Sequence, residues 1–166
     1  INYLTPKILL KLNPSDMKDY ATSDRTVNVD NIFNINRLGI NDTLETGKSL
    51  TLGLDYKKEK IDNYNKFFEF KLATVLRDKE ENFIPKKTSL NKKNSNIFGS
   101  VNNNFSDFFN LNYKFAINNN FNSIEHNDLG VEFKLNNFNT KFNFLEESGE
   151  MGSSNFLENE TNFQFD

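Results

Sequence analysis

The chain has 166 residues and a net charge of -3, with 36% apolar but 14% aromatic residues, 18 of them Phe, and no Cys. Its acidic balance, with a pI of about 5.3, supplies no field to gather nucleic acid, and the lack of Cys excludes thiol catalysis, zinc-thiolate centres and internal disulfides. A mean hydropathy of -0.67 argues against an ordinary buried core, while the aromatic content argues against disorder.

Period-two alternation predicts eight strands: 3–12, 48–57, 66–76, 96–104, 107–117, 124–135, 139–146 and 156–165. In the second, Leu50, Leu52, Leu54 and Tyr56 fall on one face, and Ser49, Thr51, Gly53 and Asp55 on the other. The third sets Phe68, Phe70 and Leu72 against Glu69, Lys71 and Arg77. The fifth sets Phe109, Leu111, Tyr113 and Phe115 against Asn110, Asn112 and Lys114. The sixth sets Leu129, Val131 and Phe133 against Glu132 and Lys134. No helical period competes, and no apolar run is long enough for a membrane helix.

Strand length separates two kinds of two-faced sheet. Ten residues at ~3.3 Å each, tilted by roughly 40°, span ~25 Å, the height of the apolar band of a transmembrane barrel; strands of soluble sheets average ~5–6 residues. The predicted connections alternate in length as well. They are long at 13–47, medium at 58–65, long at 77–95, very short near Phe105-Ser106, medium at 118–123, short at 136–138 and long at 147–155. Barrels of the outer membrane have short periplasmic turns and longer extracellular loops, so 13–47 is expected outside the cell. The expected fold is therefore all-β: an antiparallel meander of about eight long strands forming an arc of a large transmembrane barrel. The apolar residues named above are expected to face lipid. Thr51, Asp55, Glu69, Lys71, Asn110, Asn112, Lys114, Glu132 and Lys134 are expected to face the lumen. On that assignment Leu52→Arg should block assembly and Thr51→Arg should be tolerated.

Residues 1–166 read as one partial barrel with no separate second domain. Ile1 is followed by no leader-like segment, and Phe163-Gln164-Phe165-Asp166 stops in mid-alternation. The chain is accordingly expected to be an interior piece of a longer protein.

Few constellations carry chemistry. Arg37, Asp42 and Glu45 lie in the first long connection, where either an ion-paired, folded-in loop with Arg37 held bidentately by a carboxylate or a plain solvated loop accounts for them. Lys86, Lys87, Lys92 and Lys93 are expected to be solvated at a loop tip. His126, beside Glu125 and Asp128, lacks the ligand spacing of a metal site, and the acidic loops around Asp16, Asp24 and Glu150 lack calcium-loop spacing. No nucleophile elbow, phosphate loop or zinc-protease motif occurs, so neither catalysis nor any cofactor or metal is expected.

The stretch from Val27 to Tyr56, VNVDNIFNINRLGINDTLETGKSLTLGLDY, resembles a segment in the barrel domain of the LPS-assembly protein family LptD (OstA/Imp) of alphaproteobacterial type. Asp30, Asn31, Phe33, Asn36, Arg37, Asp42, Glu45 and Gly47 carry the likeness, with Ile32 for a Leu and Leu38 for an aromatic. Leu4-Thr5-Pro6-Lys7 resembles the strand that leads into this loop. The resemblance implies a barrel in the Gram-negative outer membrane that inserts lipopolysaccharide into the outer leaflet. Its implied partners are lipopolysaccharide, outer-membrane lipid, an LptE-like lipoprotein plug and an LptA-like periplasmic bridge. It also implies that the family's cysteines and export seam lie outside this arc. From the residues alone, a porin-like channel wall and, less well supported by strand length, a soluble periplasmic β-sheet remain the alternatives.

Overall fold

The computed structural model describes residues 1–164. Its strands are β1 (Asn2–Asn13), β2 (Gly47–Lys60), β3 (Asn63–Arg77), β4 (Ile97–Asn103), β5 (Phe109–Ile117), β6 (Ile124–Leu135), β7 (Phe138–Glu147) and β8 (Asn155–Phe163). They join in sequence order into one open antiparallel meander. A 3-10 turn, Lys86–Thr88, lies between β3 and β4. Residue 165, at the end of the last predicted strand, lies outside the described residues.

One boundary departs from expectation. The predicted connection 58–65 shrinks to Ile61-Asp62, because β2 runs for 14 residues to Lys60 and β3 opens at Asn63. The charged run Lys57 to Lys60 looks like a loop, yet its side chains find partners. Lys57 pairs with Glu59 at 2.5 Å and lies 5.0 Å from the centre of the Phe67 ring of β3, within cation–π range, and Lys58 lies 5.6 Å from the ring of Phe105 in the connection 104–108. The other short turn, Asn136-Asn137, has Asn136 at φ +49°, a conformation Asn tolerates better than most side chains. Long and short connections still alternate: 14–46, 61–62, 78–96, 104–108, 118–123, 136–137 and 148–154.

The register carries each face unbroken across the sheet. Leu54 pairs with Leu72, Leu72 with Gly99 and Gly99 with Phe115, while Asp55 pairs with Lys71 and Lys71 with Ser100. The apolar face is the bare one, with Ile8, Leu10 and Leu12 exposed by 73%, 74% and 68%. On the opposite face Thr51 is fully buried, at 0% exposure. What covers it is the protein's own loops. The core consists of Met17, Val27, Val29, Ile32, Leu38 and Ile40 from 14–46, Ile84 and Leu90 from 78–96, and Met151 from 148–154. These pack on Ala73, Val75, Phe98 and Ala116 of the sheet.

Gly99 marks a close approach on the apolar face. A Cβ there would overlap the ring of its cross-strand neighbour Phe115, so the ring lies over the glycine and fills the space a side chain would take. Gly99→Val is expected to displace that ring and to destabilise the protein by about 1–3 kcal/mol. The temperature at which the folded form loses its compact mobility in detergent electrophoresis measures this; an unchanged temperature would contradict the ring's placement.

Candidate functional site

Connection 14–46 is long enough to wander, yet local hydrogen bonds fold it tightly. Asn31 accepts the Asn28 amide on its side-chain oxygen at 2.9 Å. Asn36 closes the following turn, donating from Nδ2 to the Ile40 carbonyl at 2.9 Å and accepting the Ile40 amide at 3.3 Å. These are the side-chain-to-backbone bonds that make Asn a turn former. Phe33 lies against Gly53, where a Cβ would stand 2.5 Å from the ring, and Lys7 sits 5.6 Å from its centre. Asp30 reaches the polar face, 2.8 Å from Lys114 and 3.9 Å from Lys71. Gly47, at φ +86°, starts β2 with Arg77 Nη2 only 3.1 Å from where a Cβ would be. Its backbone conformation is one that glycine adopts without strain.

Between these contacts lies a buried ion network. Arg37 and Glu45 are 2% and 4% exposed. Arg37 grips the carboxylate with two bonds, Nε to Oε2 at 2.7 Å and Nη2 to Oε1 at 2.6 Å. Its remaining donors go to Thr51 Oγ1 at 2.8 Å, Ser49 Oγ at 3.0 Å and the Ile32 carbonyl at 3.4 Å. Lys11 of β1 donates to Glu45 Oε2 at 3.0 Å. Arg77 of β3 donates from Nη1 to Glu45 Oε1 and from Nη2 to the Thr46 carbonyl at 2.6 Å. One carboxylate thus faces three cations and ties the loop to β1, β2 and β3 at their long-loop ends. The arrangement is a clamp.

The electrostatics follow. Burial pushes the Glu45 carboxyl up, but the Arg37 bonds and the charges of Arg37, Lys11 and Arg77 outweigh it and hold the carboxyl below its ordinary value. Asp42 of the same sequence motif lies apart. It is exposed, accepts from Lys18 and from the Tyr20 hydroxyl at 2.6 Å each, and is kept low chiefly by the Lys18 hydrogen bond.

The sequence pointed to Arg37 and Glu45 but not to Lys11, Ser49 or Thr51 as members of the network. Their signal was available: all three fall on the polar face beside Arg77, as the pairs Lys11 with Ser49 and Ser49 with Arg77 require. Because Thr51 is buried against the Arg37 guanidinium, the expectation that Thr51→Arg would be tolerated is overturned. A second guanidinium there would meet the first with no room and no counter-charge. Glu125 was also missed. It is 5% exposed and accepts from Asn96 Nδ2 at 2.7 Å and Asn118 Nδ2 at 2.9 Å. His126 stands 3.6 Å from Glu147. Of the loop lysines, Lys87 pairs with Asp24 at 2.5 Å and Lys92 with Glu150 at 2.8 Å, so these two strap loops together.

The family model LptD, described as LPS transport system D, matches residues 1–165. No curated protein matches the chain.

Removing the carboxylate charge with Glu45→Gln leaves three cations without a counter-ion and is expected to cost about 3–5 kcal/mol, read as a lower unfolding midpoint. Since the folded carboxyl lies below its unfolded value, the clamp's contribution is present above the unfolded value of about 4.3 and is lost as pH falls through the lower, folded one. Hydrogen-exchange protection in residues 28–40, taken relative to the unstructured rate at each pH, should therefore persist at mildly acidic pH and be lost only in stronger acid. Fast exchange already near neutrality would contradict the clamp.

Proposed function

The chain belongs to the LptD family, and on that premise we propose that it forms an arc of the outer-membrane barrel through which lipopolysaccharide is inserted into the outer leaflet. The family's task is lipopolysaccharide transport. In the proposed mechanism a periplasmic bridge delivers the lipid to the barrel, a lipoprotein plug occupies the lumen, and this arc supplies wall and outer loops. Leu50, Leu52, Leu54, Tyr56, Phe68, Phe70, Leu72, Phe109, Leu111, Tyr113, Phe115, Leu129, Val131 and Phe133 face lipid. Asp55, Glu69, Lys71, Asn110, Asn112, Lys114, Glu132 and Lys134 face the lumen, as does Thr51 beneath its loop.

One observation carries this reading: the sheet is inside out. Its apolar face is exposed, while its polar face is covered by its own loops at the long-loop end, the reverse of a sheet that folds around a core in water. In hydrocarbon the same arrangement is favourable, provided the backbone bonds are all made within the sheet. The pairing of neighbours in order from β1 to β8, with register shifts at Glu59/Lys60 and Ala116/Ile117, supplies most of them for the strands between the two edges. Wall residues need no chemistry of their own. They hold the lumen open to the plug and present a continuous surface to lipid.

The test compares neighbours on β5. In the complete barrel protein, Leu111→Arg puts a charge on the lipid side, at about 2–4 kcal/mol near the midplane, and should abolish assembly. Asn112→Arg should assemble, because Gly130 opposite leaves room on that face. Equal tolerance of both substitutions, scored by folded barrel in outer-membrane fractions, would defeat the face assignment.

A further inference from the structure

The lipid side of the sheet changes character at the end of one hairpin. Leu52, Leu54 and Tyr56 follow one another along the apolar face of β2, and the same alternation then delivers Lys58 and Lys60, both exposed, while Lys57 and Glu59 between them are half-buried. The last apolar residue of this series, Tyr56, has its ring 6.3 Å from that of Phe68 on β3, and Phe68 stands opposite Lys58. Pairing of β3 with β4 stops at Phe68, so the hairpin runs on past β4 through residues 63–67 to its turn. Ile61 and Tyr64 are exposed at that tip.

The charges of this end are unevenly answered. Lys66 of β3 is ion-paired with Asp107 in the connection 104–108. That hydrogen bond, with the charges of Lys66 and Lys60, holds the Asp107 carboxyl below its ordinary value. Lys58 meets no carboxylate among the described residues; its ammonium lies 5.6 Å from the centre of the Phe105 ring. Lys60 and the turn residue Asp62 form no ion pair among the described residues either. The β6–β7 hairpin, which turns at the same end, is built differently. Its Lys134 lies on the opposite face and pairs with Glu132 at 3.0 Å. The lipid-side lysines of the short-turn end are thus gathered on β2 and β3.

A lysine on the lipid side is most costly at the midplane and nearly free at the edge of the hydrocarbon. At ~3.3 Å per residue and a tilt of roughly 40°, Lys58 and Lys60 lie ~5 and ~10 Å beyond Tyr56, an aromatic of the kind that settles at headgroup level. Their stems reach back along the wall and bring both ammonium groups to the layer of lipid phosphates. We propose that Lys58 and Lys60 form a binding site for the phosphate of an anionic phospholipid in the periplasmic leaflet. The proposal rests on the lipid-face assignment and on the periplasmic placing of the short turns. Two ammonium groups without carboxylates of their own supply charge-assisted hydrogen bonds to phosphate oxygens. A phospholipid that carries its own ammonium answers its phosphate internally and gains less. The bound lipid holds the projecting hairpin at a fixed depth.

The experiment is native mass spectrometry of the complete barrel protein, purified with its lumen partner and titrated in detergent with phosphatidylglycerol or with phosphatidylcholine of the same chains. Wild type should retain phosphatidylglycerol in preference. Lys58→Gln combined with Lys60→Gln should weaken that retention about 10-fold or more while the protein keeps its heat-modifiable mobility. Should the pair fail to fold, Lys60→Gln alone removes a charge that no ion pair holds and should give part of the same loss. Lys134→Gln makes the same change of charge on the lumen side and should leave retention unaltered. Equal retention of the two lipids by wild type would overturn the proposal. So would undiminished retention by the folded Lys58 and Lys60 variants, or an equal loss with Lys134→Gln. A wrong face assignment would show separately, in the Leu111 and Asn112 comparison, which involves no added lipid.

Discussion

A single carboxylate organises the long-loop end of this sheet. Glu45 comes two residues before β2 begins, yet its two oxygens are shared among Arg37 of the loop, Lys11 of β1 and Arg77 of β3. Because the site is buried, these attractions act in a medium far less screening than water, and leaving any partner out would strand a charge. The geometry is therefore all-or-none. With the loop seated, every charge is answered or shared. With the loop lifted, Lys11 and Arg77 flank Ser49 of β2 with no carboxylate between them. The loop is part of the fold of the first three strands, and those strands are part of the fold of the loop.

The residues carrying the family likeness make the contacts that shape and seat the loop. Asn31 and Asn36 shape the backbone, Phe33 fills the space above Gly53, Asp30 reaches across to β5, and Gly47 gives way to Arg77. Asp42 belongs to a smaller surface pairing with Lys18 and Tyr20. A motif of this sort records how a loop is held against a wall, which a transporter needs as much as an enzyme needs its catalytic groups.

The strands were legible because an apolar-polar alternation kept up over about ten residues suits an extended chain and suits no helix. The loop parity survived even where one boundary moved. A bidentate grip on Arg37 by a carboxylate was legible as one of two options, the other being a solvated loop, but the choice of Glu45 over Asp42 was not. Three things were not. The charged run after Lys57 belongs to strand because its partners lie two residues along or across a turn, where composition cannot see them. Thr51 looks like an ordinary lumen residue until a loop from fourteen positions earlier closes over it. Ala73, Val75, Phe98 and Ala116 read as breaks in the pattern. Their meaning depends on three connections arriving together, which no single window contains.

The unequal connections also set a timetable for the chain. Strands β2 and β3, and likewise β6 and β7, are separated by two residues and can zip as soon as they emerge, within microseconds for an isolated hairpin. Pairing β1 with β2 must first close the loop 14–46, whose entropic cost grows only with the logarithm of its length but is not repaid until the Glu45 cluster forms. Strand β1 is then the late arrival. Until it docks, β2 presents an open edge able to accept a strand from another chain. Strand β1, held to the Glu45 cluster through Lys11 in the finished molecule, is thus the one whose late docking leaves β2 open to mispairing.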